Sequence, residues 1–389
     1  MTRPRIFFYV QHLLGIGHLR RAAAIARALG EHGLDVAFVS GGEPLPGLAL
    51  GTARIIQLPP ARAGDSGFDT IVDGEGRPID DAWRARRRAA LLEAFRAEAP
   101  RLLLIELFPF GRRPFRFELL PLLEASQESR PRPAVVCSVR DILVSKSDPQ
   151  RVAEIADIVR HYFDRVLVHG DPRLVRFEDT FAAADRIADR LHYTGYVIST
   201  PPNAAAASEA GRGEVLVSAG GGAVGEPLLR AALAARPLTA LTDAPWRIIT
   251  GLNLPERVFT ALRETAPEDV AIERFRPDFQ ALLRNCRLSV SQAGYNTVME
   301  LLAAGTRAVV VPFAEGGETE QPMRARLLAA RGLLTLVEPA DLTPPILAAA
   351  IDAADRRPPP AVSAIDLAGA AETARAIAAL VTDDRRAPC

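Results

Sequence analysis

The residue best suited to acid–base chemistry in this sequence is His18, which follows a short glycine turn. The turn, Gly15-Ile-Gly17, comes soon after an apolar run that ends at Val10. Glycine lets the backbone approach a ligand closely, and the unpaired N–H groups at the start of the next helix favour an anion. An imidazole titrates near neutral pH, so His18 is a candidate general base. The alternative is a helix-start histidine that only faces water, and this segment alone favours neither.

A second anion site is predicted where another apolar run ends at Ser218. Gly220, Gly221 and Gly222 come next, and an amphipathic helix pattern begins after Gly225. A buried strand that delivers glycines to the start of a helix is the arrangement of a phosphate-binding loop. The Gly-Lys-Ser/Thr ending of nucleoside triphosphatases is missing. A flexible turn is the alternative, but a turn does not need four glycines within six positions.

A third anion site is predicted after the strand pattern that ends at Ser291. The turn and helix start that follow supply Gly294, Asn296 and Thr297. Backbone N–H groups and small hydroxyl or amide side chains at a helix start are suited to hold a phosphate. This segment is the most densely functionalised part of the sequence.

Three further side chains close to this site are suited to bind sugar hydroxyls. Glu300 lies on the same predicted helix, where its carboxylate can bind the two hydroxyls of a ribose. The loop after the next strand brings Glu320 and Gln321 to the same edge of the sheet. The alternatives are a capping or solvated glutamate at Glu300 and a merely polar helix start at Glu320.

Two carboxylates in the first half of the chain are weaker candidates for the base. Glu106 ends one strand pattern, and Asp141 follows the next one. Both are expected at the carboxyl edge of the sheet, where they can bind an acceptor or accept a proton. A buried ion pair of either acid with Arg112 or Arg140 is an equally weighted alternative.

The elements that position these residues are short apolar strands alternating with amphipathic helices, which predicts parallel, doubly wound α/β sheets. Strands are predicted at 5–10, 35–40, 53–58, 102–107, 134–139, 165–169, 214–218, 246–250, 270–273, 288–291, 308–311 and 334–337. Helices are predicted at 18–29, 83–98, 116–126, 149–162, 226–236, 255–264, 278–284, 295–304, 319–331, 343–354 and 366–381. The arginine run within 83–88 predicts a solvated helix face, and contact with anionic lipid or a phosphorylated acceptor is the less favoured alternative.

A segment rich in Pro, Gly, Ala and Ser divides the chain into two domains. It covers residues 201–213 and predicts a linker between an N-terminal domain, 1–200, and a C-terminal domain, 214–389. The last helix either caps the second domain or crosses back to the first. Two such domains are expected to face each other across a cleft, into which the carboxyl ends of the strands point.

Composition excludes several classes of protein. The 389 residues carry 47 basic and 47 acidic side chains, without the basic excess of a nucleic-acid binder. The three cysteines are far apart, which argues against a zinc site or a disulfide framework. No apolar run is long enough to span a bilayer and no signal peptide is recognisable, so a cytoplasmic enzyme is expected. All six histidines precede the linker, so a histidine base must come from the first domain.

Together, the Gly15–His18 turn and the segment from Ser291 to Gln321 resemble the GT-B glycosyltransferases. Among these, the peptidoglycan (lipid II-forming) N-acetylglucosaminyltransferase branch is the most similar. The resemblance covers about 214–337 and the opening strand–helix unit. It implies two Rossmann-like domains and a nucleotide-diphosphate sugar, usually UDP-linked, bound mainly by the second domain.

The same resemblance assigns roles to individual residues. The diphosphate would be held by the loop 218–222 and the turn 294–297, with the opening glycines close to the donor. Glu300 would bind the ribose, and Gln321 with Glu320 the hydroxyls of the donor sugar. The backbone near Phe275 and Arg276 would bind the uracil.

The leading interpretation is therefore a glycosyltransferase that moves a sugar, with an N-acetylhexosamine as one candidate, to an unidentified small or lipid-linked acceptor. The predicted loops contain no Asp-x-Asp metal motif, so a metal-independent reaction without cofactor is expected, with inversion if His18 is the base. No nucleic acid and at most peripheral membrane contact are expected. A nucleotide-sugar hydrolase or epimerase would share every donor-site residue. A non-catalytic sensor is a third possibility, and Arg20, where the dinucleotide fingerprint needs a glycine, disfavours an oxidoreductase.

Overall fold

The computed structural model describes residues 3–13, 17–64, 70–143, 148–198, 209–221, 224–361 and 365–382. The chain divides into two compact units. The first unit comprises Met1–Ser199 and Asp366–Cys389, and the second unit comprises Thr200–Ile365. Most of the predicted linker, 201–208, lies outside the described residues, as do Gly15 and Gly222.

The first unit contains a sheet of seven parallel strands in the order β3-β2-β1-β6-β7-β8-β9, with β4 and β5 as a separate antiparallel pair. The strands are β1 (Arg5–Val10), β2 (Asp35–Ser40), β3 (Arg54–Gln57), β4 (Ala61–Ala63), β5 (Ile71–Asp73), β6 (Leu102–Glu106), β7 (Ala134–Arg140), β8 (Arg165–His169) and β9 (Leu191–Tyr193). The helices are α1 (Gly17–Glu31), α2 (Asp81–Glu98), α3 (Arg116–Glu128) and α4 (Pro149–Tyr162).

The central strands of this sheet are apolar along their whole length because both faces are covered. On β1, Phe7 packs into one core cluster, which includes Phe95 of α2 and Leu119 of α3. Its neighbour Phe8 points the other way into a second cluster, which includes Ile25 of α1. Side chains alternate between the faces of a strand, so a strand buried on both sides needs a continuous apolar run.

The arginine run on α2 is not wholly solvated, and the prediction for Arg87 is wrong. Its side chain is fully buried, and Nε donates to Glu118 Oε2 at 2.8 Å. Another of its nitrogens donates to the carbonyl of Gly41 at 2.8 Å. The guanidinium lies 5.4 Å from the ring centroid of Trp83. A buried acid and an aromatic neighbour draw this one residue of the run into the core.

The second unit has a sheet of six parallel strands in the order β12-β11-β10-β13-β14-β15. The strands are β10 (Val215–Ser218), β11 (Trp246–Ile249), β12 (Val270–Glu273), β13 (Leu288–Ser291), β14 (Ala308–Val310) and β15 (Thr335–Leu336). The helices are α5 (Glu226–Ala235), α6 (Glu256–Thr265), α7 (Phe279–Asn285), α8 (Tyr295–Ala304), α9 (Glu320–Ala330) and α10 (Pro344–Asp355). This is the strand order of a dinucleotide-binding sheet, in which the direction of winding reverses between β10 and β13.

The last helix, α11 (Gly369–Thr382), packs on the first unit. Ala374 and Ile377 belong to the same core cluster as Ile25 of α1. Gly369 lies so close to the backbone of Tyr196 that a Cβ there would be 2.6 Å from its carbonyl carbon. Of the two placements that the sequence leaves open, α11 occupies the one on the first unit. Within the described ranges, no helix combines the length and apolar content needed to cross a membrane.

Candidate functional site

His18 and Glu106 meet where the strand order of the first sheet reverses. His18 lies in the first turn of α1, which follows β1, and Glu106 ends the neighbouring strand β6. The distance between His18 Nδ1 and Glu106 Oε1 is 3.0 Å. The Glu106 side chain is fully buried, while 16% of the His18 side chain remains exposed. Such a reversal point is where parallel α/β sheets bind their ligands.

The Glu106 carboxylate accepts two further hydrogen bonds. Arg21, one turn after His18 on α1, donates to Oε1. Ser138 on β7 donates from Oγ to Oε2 at 2.5 Å. Burial alone would raise the pKa of Glu106, but the charge of Arg21 and the hydrogen bonds from His18 and Ser138 hold it well below its usual range. Glu106 is therefore ionised and acts only as an acceptor.

The polar chain continues from Ser138 to His169 and Thr194 in the interior of the unit. His169 Nε2 lies 2.8 Å from Ser138 Oγ, and His169 Nδ1 lies 2.9 Å from Thr194 Oγ1. Burial, aided by the charge of Arg21, lowers the pKa of His169 to about 3, so the ring is neutral at pH 7. Because Ser138 gives its hydrogen to Glu106, His169 must donate from Nε2 and accept from Thr194 at Nδ1. In this series of side chains, each group donates its hydrogen to the next one, and Glu106 is the final acceptor.

The same reasoning fixes the proton on His18. Burial lowers its pKa to about 3, and the charges of Arg140, Arg112 and Arg21 act in the same direction against the Glu106 hydrogen bond. Nδ1 has two neighbours, Glu106 at 3.0 Å, which can only accept, and Arg21 at 3.1 Å, which can only donate, and we assign its hydrogen to the ionised Glu106. The lone pair then lies on Nε2, the nitrogen that a base needs. Arg21 also lies 3.1 Å from Nδ1, but both nitrogens carry hydrogen, so this contact is not a hydrogen bond.

Asp141 occupies a different environment from Glu106. It is fully buried, and the hydroxyl of Tyr196 donates to its Oδ2 at 2.6 Å. The sequence also offered a buried ion pair as the role of these acids. Glu106 does form one, although its partner is Arg21 and not Arg112 or Arg140.

Sequence reasoning missed Arg21, Ser138 and His169. Arg21 follows His18 by three positions on a helix, a spacing that places both side chains on one face. Ser138 and His169 are polar residues within or at the end of apolar strand runs, which is itself a signal of a buried polar group that needs partners.

In the second unit, two serines end the strands on either side of the reversal point. Ser218 of β10 and Ser291 of β13 are register partners, with 3% and 0% exposure. Neither hydroxyl has a hydrogen-bond partner among the described residues. Buried polar groups are nearly always paired in proteins, so two adjacent open hydroxyls at a strand end fit a ligand that supplies acceptor oxygens.

The glycines of the two predicted loops leave the backbone accessible. Gly220 has φ of +57°, in the left-handed region that favours glycine, and it is exposed. Gly221 is also exposed, and its carbonyl accepts from the backbone N–H of Asn253 at 3.0 Å. Gly294 precedes α8, and a Cβ there would meet nothing within 4 Å. Asn296 and Thr297 follow in the first turn of this helix, next to Ser291.

Glu300, Glu320 and Gln321 lie on the two helices that follow β13 and β14. Glu300 is in the second turn of α8 with 7% exposure. Glu320 is 2% exposed and accepts from Arg324 at 2.8 Å. The carbonyl oxygen of Gln321 accepts from the backbone of Phe313 at 3.1 Å, while its amide nitrogen makes no hydrogen bond to a described residue.

The start of α9 is held by a residue other than those predicted. Glu318 Oε1 accepts the backbone N–H groups of Glu320 at 2.6 Å and of Gln321 at 3.3 Å. Glu318 therefore pairs with two N–H groups at the start of the helix, and the side chains of Glu320 and Gln321 make other contacts.

Phe275 and Arg276 follow β12. The Phe275 side chain is 53% exposed, and Leu252, in the loop after β11, is 65% exposed. Arg276 makes two hydrogen bonds to Asp278, at 2.8 and 2.7 Å, so its guanidinium is engaged within the unit. Both side chains are large, apolar and exposed, and each lies in a loop that follows a strand of the second sheet. In the parts of the chain that the structure describes, no group of three His, Cys, Asp or Glu side chains could hold a metal ion.

Comparison with known proteins finds similarity to glycosyltransferases. Residues 215–379 match the glycosyltransferase family 28 C-terminal domain. A curated relative is the UDP-N-acetylglucosamine--N-acetylmuramyl-(pentapeptide) pyrophosphoryl-undecaprenol N-acetylglucosamine transferase of Burkholderia mallei, 31% identical over 153 residues. The match covers 38% of this chain and 41% of the relative, so the chain spans about two fifths of that protein's length.

Solved structures match over nearly the whole chain. MurG of Acinetobacter baumannii has a TM-score of 0.54 at 16% identity, covering 96% of this chain and 95% of its own. The spinosyn rhamnosyltransferase SpnG with thymidine diphosphate has a TM-score of 0.57 at 18% identity, covering 97% and 96%. The predicted fold and resemblance are confirmed: the chain has the GT-B fold, and it resembles the lipid II-forming branch of the GT-B glycosyltransferases, with a family 28 C-terminal domain match in residues 215–379.

Proposed function

We propose that this protein is a glycosyltransferase that moves a sugar from a nucleoside diphosphate to an acceptor hydroxyl. The second unit binds the donor, and His18 of the first unit is the base. The observation that carries the proposal is the 3.0 Å contact between His18 Nδ1 and the buried Glu106 carboxylate, which favours a lone pair on Nε2. The family 28 match over residues 215–379 supports the glycosyltransferase class.

In this proposal the donor diphosphate lies against the ends of β10 and β13. Ser218 and Ser291 donate their open hydroxyls to it, and the N–H groups of the glycine loop and of the α8 start provide further donors. These groups are Gly220, Gly221, Gly294, Asn296 and Thr297, with Gly15, Gly17 and Gly222 assigned to the donor on the sequence alone. Glu300 binds the ribose, Gln321 with Glu320 binds the sugar, and the nucleobase lies beside Phe275 and Arg276.

The proposed donor is uridine-linked, with an N-acetylhexosamine as the first candidate. The Burkholderia mallei relative is named for UDP-N-acetylglucosamine, which supports this choice of donor. Thymidine diphosphate is bound in the spinosyn rhamnosyltransferase structure, so the thymidine-linked donors are the comparison to test. Small molecules and lipid-linked sugars are the two candidate classes of acceptor.

The proposed reaction is a direct displacement. His18 Nε2 takes the proton of the acceptor hydroxyl, the oxygen forms a bond to the anomeric carbon, and the bond from that carbon to the diphosphate breaks. The positive charge that develops on His18 faces the Glu106 carboxylate, and the charge that develops on the leaving diphosphate faces hydroxyl and backbone donors. Attack from the side opposite the leaving group inverts the anomeric centre, and no step requires a metal.

The test uses purified protein, a panel of UDP- and dTDP-sugars and a mixture of acceptors. His18→Ala should lower kcat by about 10²–10⁴-fold, the usual effect of losing a general base, while UDP affinity stays within about twofold. His32→Ala, which removes an exposed histidine just after α1, is the control and should leave kcat unchanged. If His18→Ala keeps near-normal turnover, His18 is not the base, and Glu106 and Asp141 are the next candidates.

The stereochemistry and the competing activities are read from the products. NMR of the product should show an inverted anomeric centre, and EDTA should leave the rate unchanged. Rapid release of UDP without an acceptor would replace the transferase by a nucleotide-sugar hydrolase, and a changed sugar still bound to UDP would replace it by an epimerase.

A further inference from the structure

The base in the first unit is surrounded by more positive than negative charge. Arg21, Arg112 and Arg140 all act electrostatically on His18, and Glu106 is the carboxylate that faces them. Glu106 already accepts hydrogen bonds from His18 and Arg21 at one oxygen and from Ser138 at the other. It therefore has little capacity to neutralise a second guanidinium.

Among the described residues, Arg112 is held by a backbone carbonyl and not by an acid. Its Nε donates to the carbonyl of Gln11 at 2.6 Å, just beyond the end of β1. Across the described ranges, no carboxylate lies within ion-pair distance of its guanidinium, so the terminal nitrogens have no charged partner there. Burial lowers the pKa of Arg112 to about 10, and the charges of Arg140 and Arg21 add to this effect while Glu106 opposes it.

The backbone of Arg112 also has an unfavourable conformation. Its φ is +60°, in the left-handed region that residues with a Cβ rarely adopt. A strained residue of this kind persists when the surrounding structure requires its side chain at that place. Here the strained backbone and the hydrogen bond to Gln11 together hold a partly exposed guanidinium beside other cations, an arrangement that a bound anion would stabilise.

We propose that Arg112, with the charge of Arg140 beside it, binds an anionic group of the acceptor, a carboxylate or a phosphate close to the reacting hydroxyl. This inference rests on the proposed function, because it assigns the chemistry of the acceptor in the same site. Arginine donors in a fixed fork match the oxygens of both groups.

Such an anion would also activate the base. Two of the charges that lower the pKa of His18 are those of Arg140 and Arg112. An anion on Arg112 offsets that charge and raises the pKa of His18 towards the range in which a base is most effective. The acceptor would then complete the electrostatic environment that its own deprotonation needs, whereas an uncharged alcohol would meet a weaker base.

The first experiment measures anion binding without any reaction. The full-length protein, with ¹⁵N-labelled histidines, is titrated with inorganic phosphate at pH 7, and the ring signals of His18 are identified by their loss in His18→Gln. Phosphate should shift these signals in a saturable way. Arg112→Gln should weaken that response by about tenfold or more, as expected for the loss of charge-assisted hydrogen bonds. Arg113→Gln, which removes the exposed neighbouring arginine, should bind phosphate as the unmodified protein does.

The second experiment uses acceptors in matched pairs, each acid with its methyl ester and each phosphate with its parent alcohol. The anionic members should have about tenfold or higher kcat/KM, and Arg112→Gln should abolish this preference while UDP affinity stays unchanged. Equal rates for both members of the pairs, or a phosphate response of His18 that survives Arg112→Gln, would overturn the inference. A tenfold loss of UDP affinity in Arg112→Gln would assign the guanidinium to the donor diphosphate and overturn it as well.

The experiments can refute the transferase proposal and the Arg112 anion site separately. If no acceptor is glycosylated but phosphate still shifts His18 through Arg112, the transferase proposal fails and the anion site stands. If transfer occurs with equal rates on charged and uncharged acceptors, the transferase stands and the anion site fails.

Discussion

Replacing His169 by glutamine should make the protein less sensitive to acid. His169 lies at the end of β8 and is fully buried between Ser138 and Thr194. Its pKa is about 3 in the folded protein, compared with an ordinary value of 6.5. Between these two values the unfolded chain binds a proton that the folded protein does not, so the stability that this group provides is complete above pH 6.5 and is lost as pH falls towards 3.

The size of the effect follows from this difference. Each pH unit in the window costs about 1.4 kcal/mol of unfolding free energy per histidine, so His169 alone accounts for about 2 kcal/mol between pH 6.5 and 5. His18 adds a similar dependence, because burial lowers its pKa to about 3 as well. Glu106, whose pKa is held low, contributes only below about pH 4.5. The interval from pH 5 to 6 therefore reports on buried histidines.

The assay is urea denaturation at closely spaced pH values from 5 to 7. A glutamine at position 169 can donate its amide hydrogen to Ser138 but cannot titrate, so the slope of unfolding free energy against pH should fall by about 1.4 kcal/mol per unit. His161→Gln removes an exposed imidazole from α4 and serves as the control. An unchanged slope in His169→Gln would show that His169 is protonated in the folded protein, and the direction of hydrogen bonding towards Glu106 would then be wrong.

Three predictions concern the second unit. Ser291→Ala should lower UDP affinity about tenfold without loss of stability, because its buried hydroxyl lies at the end of β13 and has no partner among the described residues. Ser289, two residues earlier, also has a buried hydroxyl without a described partner, so Ser289→Ala is the matched control and should leave UDP affinity unchanged; equal losses would indicate a change in the strand, not a lost contact. Glu300→Ala should weaken the binding of UDP by tenfold or more and that of 2′-deoxyuridine diphosphate much less, as calorimetry can measure. Equal losses of affinity would show that Glu300 does not bind the ribose. Gln321→Ala should alter kcat/KM ratios among UDP-sugars while free UDP binds as before, and a parallel loss for UDP would show that Gln321 does not contact the sugar.

The sequence predicted the sheets well because their central strands are buried on both faces. The bounds of β1, β2, β8, β12 and β13 agree with the apolar runs to the residue. A continuous apolar run with polar ends is a strong pattern for such a strand. The β4–β5 pair and β9 were not predicted, since strands of three residues are too short to show any periodicity.

Arg87 shows where local patterning fails. Four arginines within six positions of α2 indicate a solvated face when the helix is considered alone. The buried acid that pairs with one of them, Glu118, lies 31 positions further along the chain. A contact at that distance depends on how α2 packs on α3, which the helix pattern does not contain.

The candidate residues illustrate the same limit for a functional site. His18 and Glu106 were each identified from a turn or a strand end, but their contact joins residues 88 positions apart and depends on β6 lying next to β1. Ser218 and Ser291 likewise meet because β10 and β13 are neighbours. The sequence indicates which strand ends carry polar groups, whereas the strand order decides which of those groups come together.

The Glu106 network of the first unit and the Ser218–Ser291 pair of the second differ in how their hydroxyls are paired, and this difference agrees with the roles proposed for them. In the first unit, His169 contacts Ser138, Ser138 donates to Glu106, and Glu106 contacts His18, so the His18 ring is oriented by groups of its own unit. In the second unit, Ser218 and Ser291 leave their hydroxyls open at adjacent strand ends. Satisfied buried networks fix geometry, while open buried donors gain free energy only when a ligand pairs with them. Rigid placement is what proton transfer requires and open donors are what diphosphate binding requires, so variants of the first unit should act mainly on kcat and variants of the second on donor affinity.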